Sequence, residues 1–433
     1  MHDSCSPPVL APTAPGERID ALDVLRGFAL LGIALVNVEF FTRPLQDIND
    51  AGIDPATRGV DYLAEWLTYF FAQGKFWTLF ALLFGMGFAV MIDRAGKAGR
   101  PFVPPYLRRS LALLGIGAVH AVVIWSGDIL VSYALGALVL LLARQARRAW
   151  LGRRSAATPA PMTAARLGAW GAALYGLPLV LILLVGVLQS LPGDSAPTIQ
   201  EQNERSAHKA EEAAQRVRAV AAYSHGTFAE AVAQRVDDTV WQLGTLPVTM
   251  FFVLGLFLLG GAIQRSGVLS DLRRHQSLLR QVRNVGLPLG FAAMAMSTWL
   301  GTASPGDDIS FSEAAQVTLF LSASLVLALA YGATVLLLLL GPARKWLQFW
   351  FAPAGRMALT NYLLQSVVGT LLFYGYGVGL WGQVGRGWQA LGVLAVFTLQ
   401  VALSRWWLAR FRYGPTEWVW RCITYWRLVP IRS

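Results

Sequence analysis

Residues 22–42 read Leu-Asp-Val-Leu-Arg-Gly-Phe-Ala-Leu-Leu-Gly-Ile-Ala-Leu-Val-Asn-Val-Glu-Phe-Phe-Thr. Charge in this stretch is confined to Asp23, Arg26 and Glu39, near its two ends. An uninterrupted apolar run of roughly 20 residues is what a helix needs to cross ~30 Å of hydrocarbon. Similar runs recur near 76–92, 106–125, 128–143, 166–191, 243–263, 284–301, 314–340, 357–380 and 388–408. The expectation is an all-α, polytopic membrane protein of about ten transmembrane helices.

Composition agrees. Of 433 residues, 55% are hydrophobic and only 14% charged, against about a quarter charged in a soluble domain. Sixteen Trp and 42 Gly suit interfacial belts and close helix contact. A net charge of +11 raises the question of nucleic acid, but the basic residues fall in separate clusters between apolar runs. They read as topology, and no nucleic-acid partner is expected. The two cysteines, Cys5 and Cys422, support neither a disulfide framework nor a metal site, and His and carboxylate clusters are missing from the spans. The first seventeen residues are Pro-rich and lack the basic start of a signal peptide, so the first span reads as retained.

Connections on one side of the runs carry Arg94, Lys97, Arg100, Arg108 and Arg109, then Arg144, Arg147, Arg148, Arg153, Arg154 and Arg166. Further along the same side are Arg265 to Arg283, Arg344, Lys345, Arg356 and the basic tail. The other side holds Asp47, Asp50, Asp54 and Asp61, and later Asp307, Asp308 and Glu313. By the positive-inside rule the basic side, with both termini, is cytoplasmic. The chain then divides into a disordered tail 1–17, a transmembrane half 18–150, a cytoplasmic linker 151–165, a second half 166–412 and a cytoplasmic amphipathic tail 413–433. The second half includes an extracytoplasmic connection 192–242, read as a solvated helical cap.

Polar groups inside spans are costly unless they are paired or face a cavity. At ~100° per residue, Asp23, Arg26 and Asn37 share one ~60° sector of the first helix, with Asn37 ~16 Å beyond Arg26. Asp23 and Arg26 suit a local i, i+3 ion pair, and Arg26 also suits a phosphate entering from the cytoplasm, with Asn37 donating deeper in the membrane. The third span repeats the spacing, placing His120 eleven residues beyond Arg109 on the same face. Alone among the five histidines, His120 lies inside a span. That makes it the candidate for acid–base work, against the plainer reading of a core histidine bonded to a carbonyl. Asp128 either turns back through Ser126-Gly127 to fix the imidazole tautomer or merely caps the fourth helix, since unbroken helix would hold the two ~12 Å apart. Residues 62–76 read as an interfacial helix turning inward. Lys75 there has two readings, contact with an anionic substrate or interfacial snorkelling. In the ninth span Asn361 and Gln365 face one way and Arg356 and Thr360 another, for interhelical bonding or for lining a cavity.

Together, Arg18-Ile-Asp-Ala-Leu-Asp23-Val-Leu-Arg26-Gly27 with Asn37, Gly74-Lys75-Phe76, His120 with Ile124-Trp125-Ser-Gly127-Asp128, Gly355-Arg356-Met-Ala-Leu-Thr360-Asn361-Tyr362 and Phe411-Arg412-Tyr413-Gly414-Pro415 resemble the YeiB family of bacterial inner-membrane proteins, carriers of domain of unknown function 418. The resemblance runs from about residue 17 to 428. The first element is also similar to the start of the transmembrane acyltransferases, the acyltransferase-3 proteins and heparan-α-glucosaminide N-acetyltransferase among them. It implies transfer of an acyl group from cytoplasmic acetyl-CoA, or another acyl-CoA, to an extracytoplasmic acceptor such as a sugar. By the same resemblance His120 is the catalytic histidine and Arg26 part of the CoA entrance, and a homodimer is expected. In acyltransferase-3 proteins the histidine lies on the first helix, where this chain has Asn37. The set expected for catalysis is His120, Asp128 and Asn37, with Arg26, Arg109, Arg356 and Arg412 on the CoA phosphates and Asn37 or Asn361 on the oxyanion. The other class that fits the polar stripes is an exporter of a small polar or anionic metabolite, with His120 as a proton relay.

Overall fold

The computed structural model describes residues 20–45, 52–54, 56–152, 162–191, 198–302 and 309–432. The tail 1–17, most of the expected linker, and Asp47, Asp50, Arg153, Arg154, Asp307 and Asp308 lie outside the described residues. The described residues form helices and no strand; one antiparallel bridge pairs Phe411 with Arg432.

The helices are α1 (Asp20–Phe40), α2 (Gly59–Leu67), α3 (Lys75–Lys97), α4 (Val103–Val119), α5 (Leu130–Gly152), α6 (Ala164–Ser190), α7 (Ile199–Ser224) and α8 (Phe228–Arg265). They continue with α9 (Gln276–Leu300), α10 (Phe311–Leu338), α11 (Arg344–Trp350), α12 (Ala352–Arg356), α13 (Ala358–Phe373), α14 (Arg386–Leu408) and α15 (Pro415–Tyr425). Among the described residues, eight helical stretches are long and apolar enough to cross a membrane, and outward-facing side chains such as Val180, Leu181 and Leu188 on α6 leave an apolar exterior. The molecule is an all-helical, multi-pass membrane protein.

All ten apolar runs of the sequence are helical, but two differ from the rest. The run 284–301 belongs to α9, whose first turns carry Arg280 and Arg283, and 357–380 shortens to the 16 residues of α13. The connection expected over 192–242 ends early. A capping box at Thr227 and Glu230 starts α8 at Phe228 and runs it for 38 residues, or ~57 Å, well beyond the bilayer core. The exposed polar helix α7 precedes it.

α1 is the inner post of the bundle, packing on α3, α12, α13 and α14. Its crossing with α12 is set by two glycines. A Cβ on Gly27 would overlap the carbonyl oxygen of Phe351, and one on Gly355 would overlap that of Asp23. Backbones that approach this closely leave no room for a side chain, the small-residue solution used between membrane helices. Arg26 and Arg356, each next in sequence to one of these glycines, line the same cavity.

Two five-residue π-helical turns interrupt the bundle, Thr68–Ala72 before α3 and His120–Ile124 after α4. Such turns shift side chains off the α-helical register and are frequent at functional sites. The first leads through Gly74, at φ 79°, into Lys75. The second carries the histidine singled out by the sequence.

Candidate functional site

The π-turn ends where the Trp125 amide donates to the carbonyl of His120 at 2.8 Å and Trp125 becomes extended. The chain then doubles back through Ser126 and Gly127. Both readings of Asp128 are realised together. Its Oδ2 lies 2.7 Å from Nδ1 of His120, and its Oδ1 accepts from the Val131 amide at 2.8 Å at the start of α5. Both side chains are fully buried. A carboxylate only accepts, so the shared proton belongs on Nδ1 and the lone pair on Nε2. Nε2 has no hydrogen-bond partner.

α8 holds this turn from outside. Arg235 Nη1 donates to the Val123 carbonyl at 2.9 Å, and one turn later Asp238 Oδ2 accepts from Ser126 Oγ at 3.1 Å. Asp238 also accepts from the Tyr223 hydroxyl at 2.5 Å and from Gln234 at 2.9 Å. Arg235, fully buried, donates from Nη2 to the Tyr376 hydroxyl at 2.7 Å and lies against the rings of Tyr374 and Phe228. None of these α8 residues was singled out in the sequence, because 228–242 read as connection; the Thr-x-x-Glu pattern at 227–230 was the available signal.

A cavity of about 1100 Å³, counting its open mouth, lies among α1, α3, α4, α5, α12, α13 and α15. Its wall carries four arginines, Arg26, Arg109, Arg356 and Arg421, against two carboxyl side chains, Asp23 and Glu417. Arg26 Nη1 donates to Asp23 at 3.1 Å, the ion pair read from their spacing, and remains partly exposed. The guanidinium of Arg109 stacks 3.6 Å above the Trp420 ring, whose Nε1 returns a hydrogen bond to the Arg109 carbonyl. Away from the arginines the lining becomes Leu113, Ile129, Leu130, Tyr133 and Tyr362. The Tyr362 ring centroid is 5.1 Å from that of His120, so one side chain touches both cavity and imidazole.

Of the phosphate-binding candidates, Arg26, Arg109 and Arg356 therefore share one cavity. Arg412 does not. It is exposed, with its backbone amide bonded to the Ile431 carbonyl. Asn361 is a brace between helices, donating to the Ala354 carbonyl at 3.2 Å and to Ser404 Oγ at 3.0 Å, while Gln365 donates to Gln400. Asn37 lines a second cavity, which shares no residue with the first. Lys75 meets neither expectation. It is fully buried, donates to the Tyr69 carbonyl at 3.1 Å and lies over the Phe320 ring.

The expected amphipathic tail is part of the wall. Glu417 on α15 accepts from the Leu359 and Thr360 amides and from the Thr360 hydroxyl, capping α13. Burial lifts its carboxyl above the usual range, against those hydrogen bonds.

Against known proteins, residues 263–427 match the family described as "Protein of unknown function (DUF418)". The chain is 34% identical to "Uncharacterized protein YxaH" of Bacillus subtilis, over 98% of both chains. It belongs to the DUF418 family. The chain is also similar to "Uncharacterized protein YeiB" of Escherichia coli, 30% identical over 94% of this chain and 96% of the relative. A third, an "Uncharacterized 39.9 kDa protein in amylase 3'region" of Bacillus acidopullulyticus, is 27% identical over 97% of each. The DUF418 match begins near the end of α8, so it takes in Arg356, Tyr362 and the α15 wall, while the full-length relatives span the His120 turn as well.

Proposed function

We propose that this DUF418 protein is a membrane-embedded acyltransferase. It moves an acyl group, acetyl in the first instance, from cytoplasmic acyl-CoA to a hydroxyl or amine of an extracytoplasmic glycan or metabolite. The observation that carries the reading is the buried His120–Asp128 pair, its Nε2 unpartnered, one side chain beyond the inner end of a cavity carrying four arginines. By the positive-inside rule that basic mouth faces the cytoplasm, with both termini on the same side of a bacterial inner membrane.

In the mechanism, Arg26, Arg109, Arg356 and Arg421 hold the pyrophosphate and ribose phosphate, for which planar guanidinium donors are suited. The pantetheine arm follows the apolar lining toward Tyr362. His120 Nε2 takes the proton of the acceptor as its oxygen or nitrogen bonds to the thioester carbonyl carbon, and Asp128 stabilises the imidazolium that results. The C–S bond then breaks and the imidazolium returns the proton to the leaving thiolate, giving free CoA. Asn361, already committed to two hydrogen bonds, braces the helices and does not serve the oxyanion in this scheme.

The exporter reading needs one continuous route. The acyltransferase reading is tested by binding and turnover of acetyl-CoA by purified protein, with free CoA as readout. Arg26→Ala should weaken binding about 10-fold or more, the worth of a charged hydrogen bond, while His120→Ala should abolish turnover with binding intact. If wild-type protein binds neither CoA nor acetyl-CoA at millimolar concentration, the acyltransferase reading is wrong.

A further inference from the structure

The second cavity lies at the other end of α1 from the arginines, between α1, α13 and α14, with about 800 Å³ of space counting its mouth. Valines, leucines and Phe41 dominate its lining. The lining runs from Ala34 on α1 to Phe41 just past its end, Gln365 to Phe373 on α13 and Trp388 to Val396 on α14. At 1.5 Å per residue each stretch is ~10–12 Å long, most of the ~15 Å depth of one leaflet.

The slot opens sideways. Gly392 lines it, is exposed, and has nothing within 4 Å of where a Cβ would stand. Its neighbours Leu391 and Leu394 are exposed on the apolar exterior, so hydrocarbon chains can reach the interior past a bare stretch of helix. Trp388 marks one end of the opening at 72% exposure, a placement typical of membrane interfaces. Beside it Arg386 bonds to Gln389 and Thr42 and pairs with Glu39, placing charge at the same level.

A purely apolar pocket would need no amides, yet this one is lined by Asn37, Gln365 and Gln389. Oε1 of Gln365 is buried without a hydrogen-bond partner. Unpaired amide groups at membrane depth cost several kcal/mol unless a ligand or water meets them. The lining thus suits a molecule that is mostly hydrocarbon but carries a hydrogen-bonding group. The back wall also points toward the chemistry. Phe41 packs on Trp125, ring centroids 4.5 Å apart, and the Trp125 ring stands edge-on to His120 at 6.3 Å.

We infer that the slot holds the hydrocarbon chain of a lipid-anchored acceptor, which enters sideways from the outer leaflet and presents its hydroxyl toward His120. This specifies the acceptor and rests on the acyltransferase reading for the transfer itself. The acceptor oxygen bonds to the acyl carbon, the thioester C–S bond breaks, and the hydroxyl proton passes through His120 to the CoA thiolate.

The probe is a long-chain primary alcohol with a diazirine in its chain, added to the detergent-solubilised full-length protein. Photolabelling should map to Val368, Leu372 or Val393. It should fall at least fivefold in Gly392→Phe and in Asn37→Leu, each checked for a monodisperse elution profile, and persist in Leu403→Phe on the outer face of α14. The same alcohol without diazirine should raise CoA release severalfold where a short-chain water-soluble alcohol does not. Labelling that ignores both slot variants overturns the site. Slot-specific labelling with acetyl-CoA turnover stimulated equally by the short alcohol overturns the lipid-anchored acceptor, leaving a structural lipid. Slot-specific labelling without any acetyl-CoA binding keeps the lipid site and overturns the acyltransferase reading instead.

Discussion

Nδ1 of His120 and Oδ2 of Asp128 lie 2.7 Å apart across a turn in which α-helix has given way to a π-turn and an extended Trp125. Had the helix continued, eight residues of rise would have kept them ~12 Å apart. The unwinding therefore makes the pair. Asp128→Asn leaves the geometry nearly isosteric but presents an amide that can donate to Nδ1, favouring the wrong tautomer. CoA release should fall about 10²–10⁴-fold, with acetyl-CoA affinity within about twofold of wild type. A variant that kept its turnover would remove Asp128 from the mechanism.

The turn is held at one remove by α8. Three donors, Ser126, Tyr223 and Gln234, converge on the buried carboxylate of Asp238. Asp238→Ala strands all three, and each buried group left unmet costs about 1–3 kcal/mol. A clear drop in thermal midpoint is expected, and with it slower turnover, because Ser126 no longer ties the loop that carries Asp128. Ser126→Ala separates the effects. It removes one tie and one buried hydroxyl together, so stability should change by about 1 kcal/mol or less, and a pH–rate profile should register any reorientation of the imidazole that a purely structural role would leave unmoved.

The membrane fold was legible because periodic apolar runs of span length survive in any packing, and the i, i+3 pair Asp23–Arg26 needed only helical geometry. The Arg26, Arg109 and Arg356 convergence was readable for the same reason: all sit at the basic ends of their spans. What escaped the reading depended on tertiary contact. Glu417 and Trp420 lie on a short amphipathic helix whose sequence suits a free interfacial tail, and only docking against α4 and α13 makes them a cavity wall. Asn37 shares a face with Arg26 on an ideal helix, but a face ~16 Å long is covered by different neighbours at its two ends, and these enclose separate cavities. Lys75 is buried against Tyr69 and Phe320 because a π-turn and Gly74 redirect the chain before α3; the inward turn was legible, but the tertiary contacts that enclose the ammonium were not.

The crossing of α1 and α12 gives a stability prediction with two signs. Gly355→Ala places a methyl group on the Asp23 carbonyl oxygen, and neither backbone can retreat without separating the two helices. The loss should be about 3 kcal/mol or more, at the upper end for overpacking. Gly115→Ala, on α4 with open space where the Cβ would go, should stabilise by about 0.5–1 kcal/mol through helix propensity alone. Thermal unfolding in one detergent measures both. Equal effects at the two positions would contradict the close backbone approach.

Glu417 couples the docked tail to pH. Burial raises its carboxyl above the unfolded value, so the folded state favours the protonated form. For a group shifted this way the stabilisation is full below the unfolded pKa and declines as pH rises through the folded one. Docking of α15 should accordingly be firmest on the acid side, with protease cleavage between 409 and 415 increasing as pH is raised from about 4 toward neutrality. Glu417→Gln cannot ionise and should flatten that dependence. Because Trp420 stacks on Arg109 and Arg421 lines the same cavity, the affinity for acetyl-CoA should follow the docking, weakening over the same interval in wild type and staying level in the variant. Cleavage that rises toward acid, or a variant with the wild-type slope, would refute the assignment of the pH dependence to Glu417.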